Sequence, residues 1–305
     1  MDRVQTLPVN SSRRKNRIRG NKGFHIFVGV FVTLFTLFCF IPFWLVVINS
    51  FASEANIARH GFQLWPQEFS LDAYTYVFKG NQVYYSYRNT LLIVGLGTPL
   101  AVMITAMYAY VLAHPKVRYG RQLSFLTYFT MIMGTSMVGF YILISTWMGL
   151  RDSLWALILP RLINPFYAFI LVAAYRGVPY EIYDSASLDG ANDWRTFFQI
   201  ILPITVPALA TVTLFFALYY WNDWWLALLF IDNYKMHPLQ MMIRSLMASI
   251  TASSYLAAEN MTDIAIPTNA VKMAVVCITT GPIIIAYPFV QKFFVKGITV
   301  GAVKG

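Results

Sequence analysis

Six long apolar stretches, parted by polar segments, decide what this chain can fold into. Phe24–Phe51, Asn89–Ala113 and Gln122–Leu150 contain no Asp, Glu, Lys or Arg. Each is long enough to cross the roughly 30 Å of hydrocarbon in a bilayer. Leu154–Tyr175 is interrupted by Pro160, Arg161 and Pro165. Such a break is tolerated where the backbone is buried in protein or lines a wet cavity. Val206–Ile231 holds a single charge, Asp223, and Met273–Gln291 closes the set. The pattern predicts an all-α membrane protein with six transmembrane helices over residues 24–296. A polar N-terminal tail (1–23) and a short C-terminal tail (297–305) flank them. Hydrophobic residues make up 58% and charged residues 12%, far from a soluble average.

The net charge of +10 therefore asks where the cations lie, not which nucleic acid they bind. Seven basic residues crowd positions 1–23, as a cytoplasmic anchor beside a first span does. A signal peptide fits poorly, because the apolar run that follows is too long. With the N-terminus inside, the inner segments hold fifteen of the 23 Lys and Arg residues. This bias predicts both termini in the cytoplasm. Residues 52–87 and 232–269 become outer segments whose aromatics suit an interfacial belt or a partner, with membrane lipids around the whole. Cys39 and Cys277 fall inside apolar runs and suggest neither a disulfide framework nor a metal site.

The same orientation puts the polar stretch 179–203 in the cytoplasm. Pro179 suits the first turn of a helix, and Glu181 and Asp184 favour its positive end. Ser185 and Ala186 permit close approach by a partner. Gly190 stops the helix, Asn192 or Asp193 can cap a second, and Pro203 and Pro207 punctuate the far end. A helix, a glycine turn and a second helix result. The order resembles the EAA loop of ABC importer permeases: Glu-Ala-Ala, three residues, Gly, nine residues, Ile, one residue, Leu-Pro. Asp184, Ser185 and Ala186 fill the first places, and Gly190, Ile200, Leu202 and Pro203 fall at the required offsets. Asp for Glu keeps the charge but shortens its reach by one methylene. In such a loop Glu181, Asp184, Ser185, Ala186, Asp189, Gly190, Ile200, Leu202 and Pro203 would couple the permease to an ATPase.

Further stretches are similar to the carbohydrate branch of these permeases. They are Leu64-x-Pro66-x-x-Phe69-Ser70-Leu71, Trp221-Asn222, Pro238-Leu239-Gln240 and the C-terminus from Tyr287. The match is to the second permease of maltose-type importers, and within it to the LplC-like oligosaccharide subgroup. Around Gly134–Tyr141 that subgroup carries a proline where this chain has Gly139. The resemblance implies a type I importer permease fold in a bacterial or archaeal cytoplasmic membrane, a carbohydrate substrate and alternating access. It also implies a second homologous permease as heterodimer partner, a cytoplasmic ATPase dimer and an extracytoplasmic solute-binding protein. ATP and Mg would be bound by the ATPase. Val303, Lys304 and Gly305 would reach between the ATPase subunits.

The chain itself shows no Gly-x4-Gly-Lys-Ser/Thr loop, no His-Glu-x-x-His and no Gly-x-Ser-x-Gly elbow. It is not expected to be an enzyme, and no cofactor or nucleic acid is expected on it. A permease for a non-sugar solute, or an ion-coupled transporter built on Arg161 and Asp223, are the other readings. For the sugar path the candidates are Tyr141, Trp221, Asn222, Asp223 and Trp224, because aromatic faces stack on sugars while amides and carboxylates meet hydroxyls. On one continuous helix Trp221, Trp224 and Trp225 share a face, and Asn222 and Asp223 lie off it.

Overall fold

A computed structural model describes residues 22–134, 136–260 and 269–285. Described elements are helical apart from one isolated bridge, Ala52 with Phe69. Helix α1 (Lys22–Asn49) is followed by two short helices, α2 (Glu54–His60) and α3 (Asp72–Phe78). Then come α4 (Gln82–Ala113), α5 (Gly120–Ile132) and α6 (Met137–Trp147). Helices α7 (Trp155–Arg161) and α8 (Pro165–Arg176) lead to the hairpin of α9 (Tyr180–Leu188) and α10 (Asp193–Ile204). The chain continues through α11 (Val206–Trp221), α12 (Trp225–Phe230), α13 (Leu239–Asn260) and α14 (Asn269–Ile285).

Helices α1 and α4 are each long and apolar enough to cross a membrane. Three bent pairs, α5–α6, α7–α8 and α10–α11, pass the same test if each is taken as one span. Helix α14 is a shorter apolar helix. Two expected spans are corrected in detail. Gln122–Leu150 is not continuous: α5 ends at Ile132, Met133 turns extended (ψ 111°), and α6 starts beyond Gly134. Gly139, the position flagged from the sequence, lies inside α6 instead. Val206–Ile231 is also broken, because α11 stops at Trp221 and α12 begins only at Trp225. Residues 232–269, expected as an outer segment, contain the 22-residue helix α13, which the sequence reading did not anticipate. The tail residues Val303, Lys304 and Gly305 lie outside the described residues.

The broken span α7–α8 behaves as its prolines predict. Its halves meet at 45°. Asn164 caps α8 by accepting from the N–H groups of Phe166 and Tyr167, 3.0 and 3.3 Å away. The carbonyl of Leu162, freed by the break, accepts from Thr105 Oγ1 at 3.0 Å. A break inside a membrane protein persists only when its backbone groups find such partners.

The main core lies between α4, α8 and α11. Ile93, Ala101 and Ala109 meet Leu171 and Tyr175 and also Val212, Phe216 and Tyr220. Gly97 explains how closely α4 and α11 approach. A Cβ there would sit 2.9 Å from Tyr220 Cζ, so only glycine admits the ring. Tyr220 Oη then donates to the carbonyl of Ile158 at 3.0 Å. A second core joins α2, α3 and the end of α11 to α13 and α14 through Ala52, Ile57, Val77, Trp221, Leu239 and Val271. Glu54 fastens it by accepting from the N–H groups of Asn269 and Ala270, at 3.0 and 2.8 Å, where α14 begins. Helix α1 stands apart, with only 6% of its apolar window buried. It is held at its end, where Trp44 Nε1 donates to Leu64 and Asn49 pairs with the backbone of Gln63.

Candidate functional site

The polar hairpin forms as its local signals dictate. Pro179 is the N-cap of α9 (φ −56°, ψ 140°), one residue earlier than expected, and Glu181 lies in the first turn. Gly190 adopts φ +73°, a left-handed conformation that side chains other than glycine resist. The N–H of Ala191 then donates back to Ala186 at 2.9 Å. Asn192 caps α10 by accepting from Arg195 N at 2.8 Å. Residues 196–201 run in wide π turns, and α10 meets α11 at 85° around Thr205. Ile200, Leu202 and Pro203 therefore occupy the corner between the hairpin and the bundle.

The three leading motif residues face different ways. Asp184 is half-buried, Ser185 exposed and Ala186 buried. Ala186 thus packs within the chain and does not present a free face to a partner. Glu181, Asp189 and Gly190 are exposed. At the tip Leu188 is 89% exposed, and Trp194 stacks on Phe198 with centroids 5.8 Å apart. Leu188, Trp194 and Phe198 thus give the polar hairpin an apolar tip, and the sequence reading missed Leu188.

The hairpin is anchored to the end of α4 by an aromatic box. Tyr110 lies 6.5 Å from Tyr183 and 5.1 Å from Phe197, and His114 meets Tyr183 edge-on at 5.4 Å. Burial pushes the His114 pKa below its ordinary value, while Asp193 pulls it up and Lys116 pushes it down.

The second centre is an open cavity of 470 Å³ where α7, α8 and α11 meet, lined by Arg161, Tyr167, Tyr219, Asn222, Asp223 and Trp224 among others. Arg161 donates to Asp223 Oδ1 at 2.7 Å and to the Tyr219 carbonyl at 2.9 Å. Its guanidinium lies 4.0 Å from the centre of the Tyr219 ring. Asp223 Oδ1 also accepts from the N–H groups of Trp225 and Leu226, at 3.1 and 3.2 Å, where α12 begins. Asp223 Oδ2 is buried and has no partner. The two side chains are only 13% and 4% exposed. Thus the break in α7–α8 and the break after α11 are pinned to each other by one ion pair.

Among the sequence candidates, the cavity gathers Asn222, Asp223 and Trp224 and leaves out two. Trp221 is buried in the second core, and Tyr141 stacks on Phe230, with centroids 5.7 Å apart and planes at 8°. The shared tryptophan face fails because the helix ends at Trp221. Asp223 is itself buried, at 5% exposure. Arg244 of α13, not anticipated, lays its guanidinium 4.0 Å from the centre of the Trp224 ring.

A helical bundle with a polar two-helix hairpin and a charged aromatic cavity defines the transmembrane subunit of a transporter. The chain belongs to the family described as the binding-protein-dependent transport system inner membrane component, which it matches over residues 90–300. It is similar to the polygalacturonan/rhamnogalacturonan transport system permease protein YtcP of Bacillus subtilis. Identity is 35%, over 93% of this chain and 99% of that protein. Protein LplC of the same organism is 37% identical over 87% of this chain and 89% of that protein. A solved bacterial ABC transporter that imports the acidic polysaccharide alginate has a chain of the same fold. Its TM-score is 0.79, with 25% identity over 90% of this chain and 98% of that one. The protein is a permease of a carbohydrate ABC importer, and its class is one of transport components and not of enzymes.

Proposed function

We propose that this permease carries an oligosaccharide by alternating access, as one half of a pseudo-symmetric pair with a second, homologous permease. It crosses the membrane six times, with both termini in the cytoplasm. An ATPase dimer, which binds the ATP and Mg, docks on the hairpin α9–α10, and a solute-binding protein delivers the sugar from outside. Glu181, Asp184, Ser185 and Asp189 supply polar contacts to the ATPase and Leu188 an apolar one. Gly190 sets the turn, and Ala186, Ile200, Leu202 and Pro203 set the hairpin's angle. The tail residues Val303, Lys304 and Gly305 touch the ATPase.

The observation that carries this reading is the continuity of the hairpin with α11. One end of α11 is the corner after Pro203, and the other ends in Asn222 and Asp223 at the cavity. A force applied to the hairpin reaches the cavity through one helix of 16 residues. The test is affinity purification of the tagged chain from its native membrane. Co-purification of an ATPase and a second permease, with sugar-stimulated ATP hydrolysis, is the expected result. Recovery of the chain alone, with uptake driven by an ion gradient, would overturn it. Deleting residues 302–305 should lower complex yield or ATPase rate, and no change in either would remove the tail from the scheme.

A further inference from the structure

His114 is the C-cap of α4 and sits where α9 and α10 meet that helix. Its half-buried ring lies edge-on to Tyr110 of α4 at 5.3 Å and to Tyr183 of α9 at 5.4 Å. Nδ1 accepts from the N–H of Lys116 at 3.3 Å, so the neutral ring carries its proton on Nε2. The ring also lines a cavity of about 200 Å³ between the end of α4 and the first turn of α10, with Met107, Val111, Val117, Asp193 and Trp194. The charges near it come from two elements. Asp193 of α10 favours the imidazolium and Lys116 opposes it. Tyr110 and Tyr183 are phenols, uncharged below about pH 10. From α8, Tyr175 meets Tyr110 at 6.4 Å, and Arg176 is engaged with the Leu112 carbonyl at 3.4 Å.

A second proton can enter this ring only at Nδ1. Nδ1–H then faces the N–H of Lys116, donor against donor, and a charge stands among aromatic and apolar side chains, where it is disfavoured. The cavity gives the imidazolium an exit toward the Asp193 carboxylate, which lines the same space. Taking that exit removes the nearer of the two ring contacts between Tyr183 and the end of α4, 5.4 Å against 6.5 Å for Tyr110. Resting on the reading of α9–α10 as the ATPase dock, we propose that His114 is a proton-operated latch, which seats the hairpin on α4 when neutral and releases it when protonated, uncoupling ATP hydrolysis from sugar delivery. Import then weakens as the cytoplasm acidifies.

The experiment uses the whole importer in nanodiscs, with its solute-binding protein purified with the native sugar bound. ATP hydrolysis is read with and without that protein from about pH 8 to about pH 5.5. In the parent the ratio of stimulated to basal rate should hold steady above about pH 7 and fall at least about two-fold by about pH 5.5. His114→Phe keeps a ring in the seat and takes up no proton, so its ratio should stay flat. Asp193→Asn should move the parental transition to lower pH and Lys116→Gln to higher pH, because each removes a charge of opposite sign from beside the imidazole. A merely structural histidine would respond to neither. If His114→Phe does not assemble, the two opposed shifts decide alone. A flat parental ratio, a fall in His114→Phe parallel to the parent, or a transition that Asp193→Asn and Lys116→Gln leave in place would overturn the latch. A parent with no stimulation at any pH removes the coupling role of the hairpin and the latch with it, whereas stimulation that ignores pH removes the latch alone.

Discussion

Breaking the Arg161–Asp223 pair from one side should destabilise the bundle far more than removing both partners. The pair is 2.7 Å long, and its side chains are 13% and 4% exposed, so solvent screens it little. Asp223→Ala leaves a nearly buried guanidinium without its counter-charge, which costs about 3–5 kcal/mol. It also strips an acceptor from the N–H groups of Trp225 and Leu226, at about 1 kcal/mol each. These terms overlap, so the expected loss is about 4–5 kcal/mol in total. Asp223→Asn keeps an oxygen for the two N–H groups and should lose about 3 kcal/mol. The double change Arg161→Met with Asp223→Leu leaves no orphaned charge and should lie nearer the parent than either single change. The assay is the thermal midpoint of the detergent-solubilised complex, read by fluorescence-detected size exclusion. A single variant that melts with the parent, or a double variant that melts below both singles, would refute the claim that this pair pins the two breaks.

Other outcomes follow from particular residues. Gly190→Leu should abolish sugar-stimulated ATP hydrolysis while the protein still reaches the membrane. No atom lies within 4 Å of an added Cβ, so the cost is backbone strain of about 1–2 kcal/mol at φ +73°, and Gly190→Asn should be milder. Gly97→Ala should cost about 1–3 kcal/mol of stability through overpacking against Tyr220, read as a lower melting midpoint, and unchanged melting would show that the ring yields freely. Single cysteines at Gln67 and Ala257 should react with an impermeant thiol reagent in intact cells, and those at Ser12 and Gly301 should not. Labelling at Ser12 would reverse the topology. Burial keeps the His114 pKa below its unfolded value of about 6.5, so the folded state binds its proton less readily. Stability is then full above about pH 6.5 and falls as pH drops toward the lower folded value. His114→Phe should flatten that segment of the pH profile, and an unchanged slope would assign it to other groups.

The hairpin was legible in the sequence because each signal in it acts within a few residues. Pro179, Gly190 and Asn192 do where they stand what their backbone chemistry requires. The apolar stretches were legible for a similar reason, since hydropathy is a local sum. What was not legible depended on partners far along the chain. Arg161 and Asp223 were visible as odd charges in apolar runs, but their pairing joins positions 62 apart and also decides that the helix stops at Trp221. Gly97 is one glycine within an apolar run, and its use needed Tyr220 from another helix. Arg244 left a trace that went unread. It is an arginine among Met241, Met242, Ile243, Leu246 and Met247, with no acid at helical spacing to pair with it.

The strongest constraint on mechanism is that α11 has a fixed object at each end. At one end the corner at Thr205 turns the chain by 85° into the hairpin, and at the other Asp223 binds Arg161 across the cavity. A helix of 16 residues is about 24 Å long at 1.5 Å per residue. It is stiff along its axis and packed on α4 through Val212, Phe216 and Tyr220. A tilt of the hairpin must then either move the Arg161–Asp223 pair or bend α11. If α11 is the connecting rod, interrupting it should separate ATP hydrolysis from sugar movement. Thr213 is the place to do this, because its side chain is exposed and the change leaves the core faces in place. Thr213→Pro removes one ladder hydrogen bond and clashes with the preceding turn, a local cost of about 3 kcal/mol. The variant should assemble with its ATPase and hydrolyse ATP at the basal rate while losing sugar stimulation, and Thr213→Ala should behave as the parent. Full stimulation in an assembled Thr213→Pro importer would mean that the hairpin reaches the cavity by another route, through α9 and the aromatic box on α4.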